Sequence, residues 1–220
     1  MSFRSKRTAA FTLIELLVVI SIILLASSII FIGGSGGDGA KLSTAQRIVS
    51  GIAKGARGQA LLKNAKSRLI IYSDAAANRD DEKKLRYFGV IYEDTENPGQ
   101  WLAGTQGTYL PEGIYFDPDG APSAGSNSWT KATTNIEYPR RSSQSVGGPE
   151  YYYYEFNSNG TVASGFENNW LVLRAGSLKP DDSGSLAVNF TEADKLNLKS
   201  ALIFRRVGTT SVVTDPTDIN

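Results

Sequence analysis

Polar and apolar positions divide the 220-residue chain into five stretches of different rhythm. A short polar start, residues 1–10, holds Arg4, Lys6 and Arg7 and no acid. An apolar run follows, and 17 of the 22 residues from Phe11 to Ile32 are hydrophobic. As a helix, 11–32 extends about 33 Å at about 1.5 Å per residue, enough for a hydrocarbon core of about 30 Å. The cations before it place residues 1–10 in the cytoplasm and the rest of the chain outside, by the positive-inside bias. Residues 33–39 then carry five glycines in seven positions. Each glycine costs a helix interior about 1 kcal/mol relative to alanine, so a flexible break is expected there. The other reading is a helix that persists through the membrane and frays at its exit.

Helical periodicity returns over 40–66, most clearly from Leu42 to Lys63. Ala45, Ile48, Val49, Ile52, Ala56 and Ala60 share one face, and Arg47, Lys54 and Arg57 lie opposite. Gly51, Gly55 and Gly58 run along one side between those faces. They suit either a close approach by a neighbouring backbone, from the chain's own sheet or another subunit, or a marginal helix held by packing.

Residues 67–220 read as β-structure. Candidate strands are Arg68–Ser73, Leu85–Glu93, Gly113–Asp117, Tyr151–Asn157, Trp170–Ala175, Leu202–Val207 and Ser211–Thr214, each rich in β-branched and aromatic residues. Asn159-Gly160 signals a hairpin. No helical pattern separates these strands, so the sheets should be antiparallel. The predicted class is α+β: a long N-terminal helix, membrane half and amphipathic half with the glycine-rich break between, packed on a C-terminal antiparallel sheet domain.

Composition narrows the chemistry. Cysteine and histidine are both absent, which removes disulfides, thiolate nucleophiles, the usual zinc sites and imidazole catalysis. A carboxylate pair or a Ser–Lys dyad is what an enzyme would have left, and no enzyme is expected. Net charge is +1 for the whole chain. Removal of residues 1–10 leaves 20 basic against 22 acidic residues, so nucleic acid is not an expected partner.

Glu15 stands inside the apolar run. A carboxylate there costs on the order of 2.5–3.5 kcal/mol, which makes it a functional candidate, although one turn from the boundary it can also reach the headgroups. Its setting is Ala10-Phe11-Thr12-Leu13-Ile14-Glu15-Leu16-Leu17 behind a short basic leader. This resembles the processing site of type IV prepilins and pseudopilins. The resemblance implies cleavage between Ala10 and Phe11 by a membrane peptidase, N-methylation of Phe11, and Glu15 as the assembly carboxylate. The amine exposed at Phe11 can then be neutralised by Glu15 of a neighbouring subunit. Two departures stand out: Ala10 replaces the family's usual glycine, and residues 33–39 interrupt a helix that many pilins continue. Signal-peptidase cleavage after Ala26 fits less well, because Leu24 is a poor residue upstream and the apolar run goes on to Ile32. Lipoprotein processing needs a cysteine.

Further on, the passage from Ala56-Arg57-Gly58-Gln59-Ala60 into the 68–73 strand is similar to the H-type minor pseudopilins (the GspH/FimT family). So are the Phe156-to-Gly160 turn, Trp170–Arg174 and Ile203–Gly208. The resemblance implies a pilin fold and a minor subunit of a type II secretion pseudopilus. Its expected partners are other pilin or pseudopilin subunits, a prepilin peptidase/methyltransferase and an inner-membrane assembly platform. The alternative is a minor type IV pilin whose external domain binds a ligand or DNA.

Four local features remain. Asp117-Pro118-Asp119-Gly120 has the look of a calcium loop but lacks its later ligands, so it reads better as a turn, and calcium is the one cofactor considered. Residues 78–84 form a solvated loop in which Asp80, Asp81 and Glu82 offer a weaker cation site. Tyr151–Tyr154 puts two rings on each face of a strand, one pair for the core and the other for a partner or for burial under a loop. Arg140-Arg141 and Arg205-Arg206 suit DNA phosphates or plain solubility.

Overall fold

The computed structural model describes residue 14 and residues 16–21, 37–73, 80–122, 131–145, 147–180 and 186–219. Two compact units divide at Gly37. In the first, residues 16–21 are helical, and Leu16 to Ile20 are exposed. Ala10, Phe11, Glu15 and the glycines before Gly37 lie outside the described residues. Among those that are described, no helix is long and apolar enough to cross a membrane.

The second unit opens with helix α1, Asp38–Lys63. It starts earlier than periodicity alone suggests, taking Gly39 into its first turn. Asp38 lies in that turn and pairs with Lys41 at 3.5 Å, an acid where the helix dipole favours one. Its far end is closed by Asn64 in the left-handed region (φ 48°). There Ala65 N–H donates to Ala60 O (3.2 Å) and Asn64 N–H to Leu61 O (3.4 Å), a Schellman stop. The buried stripe is Leu42, Ala45, Gln46, Val49, Ala53, Ala56 and Ala60, while Ile48 and Ile52 are only partly covered. The face is therefore rotated slightly from the one expected. Gln46 can sit within it because its amide donates to Ala201 O (3.4 Å) and Val213 O (3.2 Å).

Among the described residues twelve strands follow, all antiparallel: β1 (Ser67–Tyr72), β2 (Tyr87–Glu93), β3 (Trp101–Ala103), β4 (Thr108–Tyr109), β5 (Ile114–Asp117), β6 (Thr133–Asn135), β7 (Glu150–Phe156), β8 (Trp170–Ala175), β9 (Ser177–Pro180), β10 (Leu186–Asn189), β11 (Lys199–Phe204) and β12 (Thr210–Val213). One sheet runs β3-β2-β1-β7-β6 with β4 also on β2; the second runs β12-β11-β8-β5; β9 and β10 form a separate hairpin. The expected order, helix first and antiparallel sheets after, is the order of this unit, and the class is α+β.

Alanines on α1 let the helix lie close to both sheets, and Ser67 Oγ donates to Ala56 O at 2.6 Å where β1 leaves the helix. The main core joins α1 to Leu69, Ile71, Phe88 and Phe156 of the first sheet and to Phe116, Leu171, Leu173, Leu202 and Phe204 of the second. Tyr154 stacks on Phe204 (centroids 4.4 Å apart), and Phe88 meets Phe116 edge-on. The first sheet is covered on its other face too, where Ile136 and Tyr138 lie over Ile70, Tyr72, Tyr87, Ile91, Trp101 and Tyr151. Double coverage explains why β1 is buried at five of its six positions rather than at alternate ones.

Several expectations are corrected. Leu85 does not begin β2: it is left-handed (φ 54°), takes its N–H to Tyr72 O (2.9 Å), and accepts from Phe116 N–H (2.8 Å), so it links the two sheets. Gly113 likewise precedes β5 with φ 83°. The last long strand is displaced to Lys199–Phe204, and Arg205 to Gly208 form the turn after it. Asn159-Gly160 does make a tight turn, with Gly160 N–H on Asn157 O and Asn157 N–H on Thr161 O (both 2.8 Å). It is not a hairpin between long strands, because β7 and β8 belong to different sheets.

Candidate functional site

Three residues of the sequence-derived site, Ala10, Phe11 and Glu15, precede or interrupt the described part of the first unit. The side chains described beside them, Ile14 and Leu16 to Ile20, are apolar and exposed, between 48% and 70%.

In the second unit the polar candidates resolve individually. Asp117 is buried, and its Oδ2 takes Arg174 Nη1 at 3.2 Å while Oδ1 takes Asp119 N–H at 3.1 Å. Asp119 pairs in turn with Lys131. Both carboxylates of the Asp-Pro-Asp-Gly turn are thus matched to cations. Asp80 pairs with Lys83, and no group of three or more acidic residues suited to a metal occurs among the described residues. Of the two arginine pairs, Arg140 is held by Glu137 and Ser142, Arg205 by Ser211, and Arg206 by Glu167. Only Arg141 of the four has no partner among the described residues.

The tyrosine run behaves differently at each position. Tyr154 is fully buried and donates to Trp170 O (2.9 Å), and burial pushes its pKa well up. Tyr151 is buried under residues 136–138, and Tyr152 and Tyr153 are half-covered. Tyr87 is pushed up to about 12, first by burial and then by the Tyr138 and Tyr109 hydroxyls. Neither ring pair forms an open aromatic platform. Arg68 lies between Trp101 and Tyr153, its guanidinium 3.9 Å and 4.0 Å from their centroids, and meets Glu155 at 2.8 Å.

Among the described residues, the helical glycines Gly51, Gly55 and Gly58 leave open space where a side chain would stand. A methyl group added at Gly51, Gly55 or Gly58 would meet no atom within 4 Å. The chain's own sheet is therefore not what approaches them. None of the five short strands β3, β4, β6, β9 and β10 had a usable sequence signal.

The class that these observations leave is defined at the N-terminus. Residues 5–31, which include Ala10, Phe11 and Glu15, match the family described as the prokaryotic N-terminal methylation motif. The chain carries that motif ahead of an α+β unit. Among solved structures, two of the minor pseudopilin EpsH from the type II secretion system of Vibrio cholerae are similar. One is 11% identical, covers 79% of this chain and 97% of that one, and has a TM-score of 0.39. The other is 13% identical, covers 81% and 99%, and has a TM-score of 0.43. No curated protein matches the chain.

Proposed function

We propose that this chain is a structural subunit, a minor pseudopilin, of a type II secretion pseudopilus, and not an enzyme. Residues 11–32 anchor it in the inner membrane, with the N-terminus cytoplasmic and the α+β unit outside. A prepilin peptidase cuts between Ala10 and Phe11, the new amine at Phe11 is methylated, and the subunit joins other pilins or pseudopilins on an inner-membrane platform. Glu15 neutralises the Phe11 amine of the next subunit, so that neither charge stays alone in lipid at a cost on the order of 2.5–3.5 kcal/mol each. The reading is carried by the methylation motif over residues 5–31. The resemblance of the external residues to the H-type family favours the secretion subunit over a pilus.

Mass spectrometry of protein purified from membranes tests the processing: the expected mature form begins with N-methylated Phe11. A form that begins at Met1, or lacks the whole apolar segment, overturns it. For assembly, Glu15→Val should insert into the membrane normally yet be missing from filaments sheared off the cells. Incorporation at the level of the unaltered protein would remove the role assigned to Glu15.

A further inference from the structure

We propose that an open cleft on the α+β unit binds a carboxylate-bearing stretch of polypeptide, with Lys63 and Arg141 holding the carboxylate. The cleft has a volume of about 530 Å³ and lies between the last turn of α1 and the segment after β3. Its polar lining is Gln59, Lys63, Tyr92, Thr105, Gln106 and Arg141: two cations, two amides and no acid.

Both cations are unpaired among the described residues, as are Arg47 and Lys54 on α1, but unlike those two they line this cleft together. Lys41, Lys66, Arg68, Lys83, Lys131, Arg174, Lys179 and Lys195 all meet a carboxylate. Lys63 and Arg141 have no hydrogen bond or ion pair among the described residues, and both line the same cleft. Their positions are built rather than incidental. Lys63 ends α1, where the Schellman stop sets its backbone, and its ammonium sits over the Tyr92 ring, 5.2 Å from the centroid. Arg141 rides on a loop pinned to the edge of β3, where Ala103 N–H donates to Arg140 O (3.1 Å) and Trp101 exchanges bonds with Gln144 (2.8 and 3.2 Å). Gln144 also closes the loop on itself through Glu137 at both ends of its amide, 3.0 Å each. Both side chains are exposed, and two cations on one cleft favour an anion between them.

The size and the amides select the ligand. A lone inorganic anion would leave most of the space empty, since clefts of about 300–1,000 Å³ take ligands of many atoms. Gln59 and Gln106 each offer a donor and an acceptor, the pair of functions that a peptide group returns. A nucleic acid fits less well, because two cations make a short track for phosphates and Lys63 already covers one face of the sole aromatic ring. The second large cleft, about 540 Å³, lacks this character, because Glu82 and Glu112 accompany its Arg86.

The inference is independent of the filament reading, and so is its test. Full-length protein in non-ionic detergent is titrated against an end-blocked, rhodamine-labelled hexapeptide of alternating glycine and glutamate, read by anisotropy. Binding should weaken as salt rises, and the glutamine counterpart of the peptide should not bind. Lys63→Gln and Arg141→Gln, both on the surface, should each lower affinity by up to about fivefold, the limit for an exposed ion pair. Arg47→Gln, which removes an equally unpaired cation elsewhere on α1, should leave binding unchanged. The proposal is overturned by any of four results: no binding at about 5 mM peptide, equal binding of the glutamine peptide, equal loss with Arg47→Gln, or tighter binding of oligothymidylate. Competition by millimolar inorganic phosphate as effective as that by the peptide would likewise reduce the cleft to a bare anion site and overturn it.

Discussion

Replacing Arg68 with alanine should destabilise the α+β unit by about 3–4 kcal/mol, far more than a surface arginine would. Arg68 faces Glu155 directly across the β1–β7 pair, with Nε 2.8 Å from Oε2. Their side chains are only 16% and 11% exposed. Two aromatic faces enclose the guanidinium at 3.9 and 4.0 Å, and such contacts contribute about 0.5–1 kcal/mol each when exposed and about 2 when desolvated. About 1 kcal/mol for each ring is a moderate value here. Taking one partner from a fully buried ion pair costs about 3–5 kcal/mol, but Glu155 keeps Lys66 at 3.6 Å, so about 1–2 is the share left to it. Lys66 is half-exposed, and Lys66→Ala should cost no more than about 1 kcal/mol. Arg68→Lys preserves charge but not the planar stack, and should fall between the two variants. Urea unfolding of the full-length protein in detergent, followed by tryptophan fluorescence, measures all three. A loss below about 1 kcal/mol for Arg68→Ala, or an Arg68→Lys variant indistinguishable from the parent, would refute the reasoning.

Phe204 is fully buried and stacked on Tyr154, so Phe204→Ala should cost about 3–5 kcal/mol by the same assay, and under 1.5 would show that the site collapses freely. Glu192 is held down to about 2 by Lys179, Lys195 and Ser177, against an ordinary value of 4.5. A depressed carboxylate stabilises the folded state above its unfolded-state value and loses that contribution as pH falls towards 2. The urea midpoint should therefore drop less for Glu192→Gln than for the parent between pH 5 and pH 2, and parallel curves would contradict the assignment. Gly55→Ala enters open space on a helix and should raise stability by about 0.5–1 kcal/mol in the isolated subunit; a loss would mean that α1 is tighter there than its surroundings indicate.

The strands legible from sequence were those whose apolar or aromatic residues run for four or more positions, as in Glu150–Phe156 (Tyr151 to Tyr154) and Trp170–Ala175 (Trp170 to Leu173). Strands of two to four residues, Thr108–Tyr109 and Thr133–Asn135 among them, are made by what they pair with, and nothing local announces them. Boundaries failed where the backbone turns left-handed at an ordinary residue, as at Leu85. The Asn-Gly turn was read correctly as a turn, but no local signal says that its flanking strands enter separate sheets. At the candidate site the contrast is sharper. The methylation motif is contiguous and could be read directly. The Lys63–Arg141 cleft draws on α1, β2, the segment after β3 and a loop more than thirty positions further on, so only folding reveals it.

The placement of α1 has a mechanical consequence. From Leu42 to Ala60 its buried stripe is gripped by strands of both sheets, and Ser67 fastens the strand that follows it. A tensile load that enters at Asp38 along the helix axis cannot peel these contacts one by one. It must slide the whole row at once, and shear of that kind spreads force over many bonds in parallel.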